Sequence, residues 1–379
     1  MNLKRVKNSK TNGMNNKDKK NNPFSIAFGK EPYQYIGRLR YEDTVIHDFS
    51  GDHPAGQVYM LTGVRGAGKT VLLTEISKKL KRDKNWIVID LNPERDLLQS
   101  FATQLCDNVD IYAELKKARI NISIPGFSMD LEGEKPISDI EIVIRKLLEK
   151  ANEKGKKVLV AIDEVTNTEY MRIFCAAFQI LIRNELPVFL VMTGLYENIN
   201  SLQNEKSLTF LHRAPKLKMT PLGISTMADR YESVFDIDRN TAVEMARLTK
   251  GYAYAFQVLG YLCWEKNTDY RSVMPEYGSY LDEYVYDKIW SELSRKDKQV
   301  LFGIANCESG RILEIRELLK LKNGEFNPYR KRLIQKGLIN GDEHGYVRFT
   351  LPLFERYVLE NYEEGLPVTD DTDHGDHAV

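Results

Sequence analysis

The sequence predicts an α/β fold: a five-stranded parallel sheet with helices on both faces, then an all-α segment, then a small closing module of helices and a hairpin. Three observations predict it. Five short apolar runs alternate with amphipathic segments between Pro23 and Leu222. The first run ends in a glycine-rich turn that opens a helix. Beyond Gly223 only helical periodicity remains to about Ser291, and from Leu293 the pattern changes again.

Taken in order, residues 1–22 carry seven basic residues against one acid and few large apolar ones, so they predict a disordered basic tail. The strand runs are Val58–Thr62, Trp86–Asp90, Val158–Asp163, Val188–Thr193 and Lys216–Thr220; four of the five are apolar enough for strands buried on both faces. Residues 118–133 alternate Ile120, Ile122, Ile124, turn at Pro125-Gly126, and resume with Phe127, Met129, Leu131, which predicts a β-hairpin. It either projects toward a partner or extends the sheet against the core. Residues 223–292 are expected to form a helical lid, with Asp238 capping one helix, Gly251 ending it and a second running through Trp264. Residues 293–363 read as a winged helix-turn-helix: helices Arg295–Ala305, Leu313–Leu321 and Pro328–Lys336, the last starting at Asn327-Pro328, then a wing hairpin from Gly337 to Phe349. Residues 364–379 form an acidic tail, expected to be flexible.

Composition bounds the function. A chain of 379 residues predicts two to three domains at about 150 residues each. Lys+Arg and Asp+Glu are 54 each, so the net charge is zero, which excludes a globally basic nucleic-acid coat but not a local basic patch. Four scattered cysteines form no Cys-x-x-Cys pair, which argues against structural zinc and fits a reducing, cytoplasmic setting. No apolar run approaches the length of a membrane span, so no membrane association is expected.

The chemistry sits in two motifs. Gly63-Val64-Arg65-Gly66-Ala67-Gly68-Lys69-Thr70 matches G-x-x-x-x-G-K-[ST] between a strand and a helix that begins at Val71. In such a P-loop the glycines let backbone N–H groups turn inward around phosphate oxygens, helped by the helix N-terminus. Lys69 would reach the β- and γ-phosphates of ATP and the Thr70 hydroxyl would ligate Mg²⁺. The run Val158–Ile162 ends in Asp163-Glu164, a Walker B pattern: Asp163 would hold the Mg²⁺ through water and Glu164 would polarise the attacking water. At the end of the next strand, Thr193 either points at the γ-phosphate as a sensor or caps the strand. Arg213 either reaches a γ-phosphate bound in a neighbouring subunit, within a nucleotide-dependent homo-oligomer, or is a surface or ion-pairing arginine.

Together with the lid and the winged helix, Gly63–Thr70, Asp163-Glu164, Thr193 and Arg213 resemble the AAA+ P-loop ATPases, and within them the Orc1/Cdc6-like and STAND-like "ATP-binding protein" branch of bacteria and archaea. The opening Asn22-Pro23-Phe24…Phe28-Gly29…Pro32…Gly37-Arg38 resembles that branch's segment upstream of the P-loop. The resemblance implies that Gly37 and Arg38 lie by the adenine. It also exposes a departure. Where related lids carry a sensor arginine or a Gly-x-Pro turn, this chain reads Gly251-Tyr-Ala-Tyr254. The nucleotide should then couple weakly to lid closure, and hydrolysis should be slow.

Two whole-protein readings follow. In the first, nucleotide state gates association with double-stranded DNA through the third helix of the winged module, whose Arg330, Lys331, Arg332 and Lys336 would contact phosphates and guanine edges. In the second, the protein is a nucleotide-held switch that assembles with a protein partner through the same module. A small-molecule P-loop kinase lacks the extra strand, lid and winged helix, and no second cluster of carboxylates suggests a nuclease.

Overall fold

The computed structural model describes residues 21–27, 32–51, 54–129 and 135–363. The expected basic tail up to residue 20, the Phe28-Gly29 pair, the end of the 118–133 segment and the acidic tail from residue 364 lie outside the described residues.

Five parallel strands form the central sheet: β1 (Val58–Thr62), β2 (Trp86–Leu91), β5 (Lys157–Ile162), β6 (Val188–Gly194) and β7 (Lys216–Lys218), in the order β2-β5-β6-β1-β7. β1 and β6 are buried at every residue, and β5 at all but its first, so their near-continuous apolar sequences satisfy both faces at once. Helices α1 (Leu39–Ser50) and α2 (Lys69–Lys81) cover one face around Phe49, Leu72 and Ile76. On the other face α3 (Leu97–Asp107), α5 (Ile140–Glu153) and α6 (Glu169–Arg183) pack Phe101, Leu147 and Phe178 against the sheet.

Between α3 and α5 lie α4 (Val109–Lys117) and the hairpin of β3 (Ile122–Ile124) and β4 (Phe127–Met129). This pair is a separate two-stranded sheet, not an extension of the central one. Its Ile122, Ile124 and Met129 are nonetheless buried in the same core, so its alternation faces inward.

Beyond β6 come α7 (Tyr196–Gln203), a short 3₁₀ turn (Thr209–Arg213) and β7. The lid follows: α8 (Ile224–Phe235), α9 (Arg239–Leu248), capped by the Asp238 carboxylate, and α10 (Ala253–Lys266). Helix α11 (Met274–Leu281) then runs through a π-helical turn (Asp282–Tyr286) into α12 (Asp287–Ser291). The C-terminal segment comprises α13 (Arg295–Ala305), α14 (Ile312–Leu318), α15 (Asn323–Lys336), the antiparallel pair β8 (Ile339–Asn340) and β9 (Arg348–Phe349), and α16 (Phe354–Asn361). An isolated bridge joins Arg311 to Tyr346.

Two expectations are corrected. Helix α15 starts at Asn323, before the Asn327-Pro328 pair, and Pro328 lies inside it. Fully buried Phe326 fixes that first turn, and the Glu325 carboxylate accepts the Lys322 N–H at 2.9 Å, so packing and capping outweigh the missing proline donor. The opening segment, expected to belong with the ATPase sheet, packs on the lid: Phe24 is buried against Phe235 and Phe256, and a Cβ at Gly260 would lie 2.5 Å from its ring. Lid and C-terminal segment share one continuous core from Met227 to Val358. No helix among the described residues is long and apolar enough to cross a membrane.

Candidate nucleotide site

The phosphate loop leaves the carboxyl end of β1, and Asp163 leaves β5 two strands away, with β6 between them. Ligands of parallel α/β sheets bind at this edge. Gly66 and Gly68 have φ of 68° and 89°, left-handed conformations that a side chain would strain. The lysine at the start of α2 is buried, and its Nζ donates to the carbonyls of Gly63 at 3.0 Å and Val64 at 2.9 Å. Burial depresses its pKa to about 8, against the pull of Asp163 and Glu164. Phosphate oxygens would replace those carbonyl partners with charge.

The Asp163 carboxylate is held at both oxygens. Thr70 Oγ1 donates to Oδ2 at 2.7 Å, and Thr193 Oγ1 donates to Oδ1. Register explains the second contact: Ile162 pairs with Met192, so the residues that follow stand side by side. The same Thr193 oxygen accepts the Glu164 N–H at 3.1 Å. Glu164 lines the cavity with φ of 53°, a left-handed backbone that costs a β-region residue about 1–2 kcal/mol. Such strain, held in place by neighbours, concentrates at functional positions. Thr193 is fully buried, bonds both Asp163 and Glu164, and does not reach the cavity wall.

The cavity is about 410 Å³, a size suited to a small-molecule ligand. Arg65 to Val71 and Glu164 line it, together with Ile26, Tyr35, Leu222, Phe256 and Tyr284. Arg38 lies on the wall and ties two elements together: its guanidinium donates to the Thr220 carbonyl at 2.5 Å and the Ala67 carbonyl at 3.0 Å. Buried Glu42 fixes its approach by accepting the Arg38 N–H and the Tyr35 hydroxyl and by pairing with Lys79 at 2.6 Å. Gly37 itself does not reach the cavity wall.

Several contacts at the site carry no sequence signature of their own. Gln257 accepts the Ser25 N–H and donates to the Gln34 carbonyl, both at 3.0 Å, stapling the opening segment to the lid. The Tyr252 hydroxyl donates to the Arg65 carbonyl at 2.6 Å, and the Tyr254 N–H donates to the Gly66 carbonyl at 3.1 Å. The expectation of a weakly coupled lid is therefore revised: the Gly251-Tyr-Ala-Tyr254 turn, which lacks an arginine, bonds the phosphate loop directly. A Cβ at Gly66 would collide with Tyr252 and Tyr254.

The third-helix cations are mostly committed elsewhere. Arg332 donates twice to the buried Asp297 carboxylate, at 2.9 and 2.5 Å. Arg330 packs its guanidinium at Gly341, with its Nε buried. Lys336 pairs with Glu197 of α7 at 2.6 Å, and only Lys331 is exposed. The four do not form one solvent-facing basic surface, because Arg332 and Lys336 are ion-paired to acids distant in sequence. Arg213 is exposed at the end of its 3₁₀ turn, and its side chain makes no hydrogen bond or ion pair among the described residues.

The strand, glycine loop, Lys-Thr helix start and acid-tipped strand separated by an intervening strand form the pattern of a P-loop phosphate-binding site. Residues 52–199 match the family model of an ATPase domain predominantly from Archaea, and residues 283–358 match a domain of unknown function (DUF8462). A Walker-type ATPase of Pyrococcus abyssi superposes with a TM-score of 0.60 at 15% identity, over 86% of this chain and 96% of its own. The ORC2 protein of Aeropyrum pernix, in its ADPNP-ADP complexes, superposes with a TM-score of 0.55 at 15% identity, over 88% and 95%. No curated protein matches the sequence. Residues 52–199 are thus similar to that archaeal ATPase domain, and the fold of the chain is similar to the folds of the Walker-type ATPase and the ORC2 protein.

Proposed function

We propose that this protein binds ATP with Mg²⁺, hydrolyses it and acts as a nucleotide-held switch, its C-terminal module docked on the ATPase domain until the nucleotide changes. One observation carries the reading: Arg65, inside the phosphate loop, pairs with Glu292 at the joint of the C-terminal module at 2.7 Å. The Lys336–Glu197 pair reinforces that docking from α15, and Lys218 Nζ donates to the Ile334 carbonyl at 3.1 Å. A change at the phosphate loop thus reaches the module without an intervening element.

The donor set fits Mg²⁺. One hydroxyl (Thr70) and one carboxylate (Asp163) converge beside the phosphate loop, the sparse protein contribution expected where phosphates and waters complete the shell. When bound, Mg²⁺ neutralises charge developing on the phosphates. Lys69 holds the β- and γ-phosphates, Asp163 keeps its orientation through Thr193, and Glu164 takes the proton of the attacking water. Arg213, exposed and uncommitted, supports a role across a subunit boundary in a nucleotide-dependent homo-oligomer.

DNA association is the second reading, in which the three helices and hairpin of the C-terminal module act as a winged helix. It is supported by exposed Lys331 and by Lys336, which release of the module would uncover. The engagement of Arg332 with Asp297 favours a protein-contacting module instead. The test is titration of labelled random duplex into protein with ATP, ADP or no nucleotide at two salt concentrations, alongside crosslinking of cysteines placed at positions 197 and 336. ATP-dependent loss of the crosslink supports the switch. Salt-sensitive duplex binding in the same state supports DNA as the partner, and a crosslink indifferent to nucleotide refutes the docking switch.

A further inference from the structure

We infer that Tyr284 is a base-stacking residue of the nucleotide site and that the π-helical turn carrying it transmits base occupancy to the C-terminal module. This rests on the nucleotide reading above and adds a residue and a route to it.

The turn Asp282–Tyr286 is the one π-helical segment among the described residues, and it interrupts a helix that joins lid to module. Such single wide turns recur at functional sites. Here it distributes three successive side chains. Tyr284 and Val285 line the same cavity as the phosphate loop. Tyr286 is fully buried on the module side, where its hydroxyl donates to the Pro352 carbonyl and its ring packs 4.9 Å from Phe354. One turn therefore touches the nucleotide cavity and the module core.

Tyr284 is built to stack. It is 59% exposed, so its own burial does not explain its place, and its ring stacks on that of Tyr280 at 5.5 Å with a 28° tilt. Tyr254, whose backbone N–H holds Gly66, stands close enough for its hydroxyl pKa to be pushed up to about 12 by burial and by Tyr284 and Tyr280. Tyr254 and Tyr284 both line the cavity, while Leu222 and Phe256 supply apolar wall. A purine closing onto Tyr284 would bury that exposed face and press on the turn that positions Tyr286.

The experiment is calorimetric titration of full-length wild type, Tyr284→Ala and Tyr284→Phe with ATP, ADP and inorganic tripolyphosphate, all with Mg²⁺. Loss of one base–aromatic stack should weaken ATP and ADP about tenfold or more in Tyr284→Ala, and Phe should restore binding. Tripolyphosphate, which has no base, should bind all three alike. Hydrogen exchange of residues 354–361 should slow on ADP binding in wild type and not in Tyr284→Ala at saturating ADP. Equal ATP affinity in wild type and Tyr284→Ala overturns the inference alone. A parallel loss for tripolyphosphate also overturns it, because the residue would then be merely structural. Wild type that binds no ATP removes the nucleotide reading and this inference with it.

Discussion

Lys336 Nζ lies 2.6 Å from Glu197 Oε1, joining the last turn of α15 to the helix that follows the central strand β6. The lysine side chain is only 14% exposed, so the pair is sheltered at an interface. Lys336→Glu should place two carboxylates together there and release the module. We expect faster proteolysis near residues 287–295 and several-fold faster ADP release. The double reversal Lys336→Glu/Glu197→Lys should recover most of both, and a double mutant no better than the single would show that the pair is incidental.

Lys69 gives the site a pH dependence. Its folded pKa is about 8, below the ordinary lysine value of 10.5, so between these values the unfolded chain binds more protons than the folded one. Unfolding free energy of the nucleotide-free protein should therefore rise with pH across that window. Phosphate binding requires the charged amine, so the ATP dissociation constant should climb above pH 8, approaching tenfold per unit. Isothermal titrations from pH 7 to 9.5 would show it, and Lys69→Ala should abolish binding throughout.

Glu164 and Thr193 should separate kinetically. Glu164→Gln should keep ATP affinity and lower kcat by about 10² to 10⁴. Thr193→Val removes the donor to Asp163 and the acceptor for the Glu164 N–H while keeping volume. We expect kcat to fall by about 10- to 100-fold, the usual range for a group that orients a metal ligand, with a raised Mg²⁺ requirement. Weakened ATP binding without a change in Mg²⁺ dependence would place Thr193 at the phosphate instead.

Arg213 should matter only between subunits. Arg213→Ala should lower turnover by about 10³ if it acts as a trans arginine and leave monomer nucleotide affinity unchanged. Mixtures of Arg213→Ala with Glu164→Gln should recover activity in proportion to mixed interfaces. Strictly additive activity would remove the trans role.

The strands and the phosphate loop were legible because their signals are local. A run buried on both faces must be apolar throughout, and a loop that wraps phosphate must place glycine at left-handed positions such as Gly66 and Gly68. What escaped the sequence joins residues far apart along the chain. Glu197 and Lys336 are 139 positions apart, and Tyr252 reaches Arg65 across 187, so no window contains either contact. The start of α15 escaped for a different reason: local turn chemistry at Asn327-Pro328 competed with the burial of Phe326, and burial prevailed. Thr193 was found, but its direction was not, because register decides which neighbour a strand-end hydroxyl meets.

The wide turn at Asp282–Tyr286 makes this joint sensitive to chain length more than to side-chain identity. Deleting one residue there would restore a regular α-helix and rotate everything after it by about 100°, with a shift of about 1.5 Å along the axis. Either Tyr284 would leave the cavity or Tyr286 would leave Pro352; the two could not be kept together. Among related chains that share this coupling, the spacing between the cavity-facing aromatic and the buried tyrosine should vary less than the residues around it, and a compensating insertion should accompany any loss.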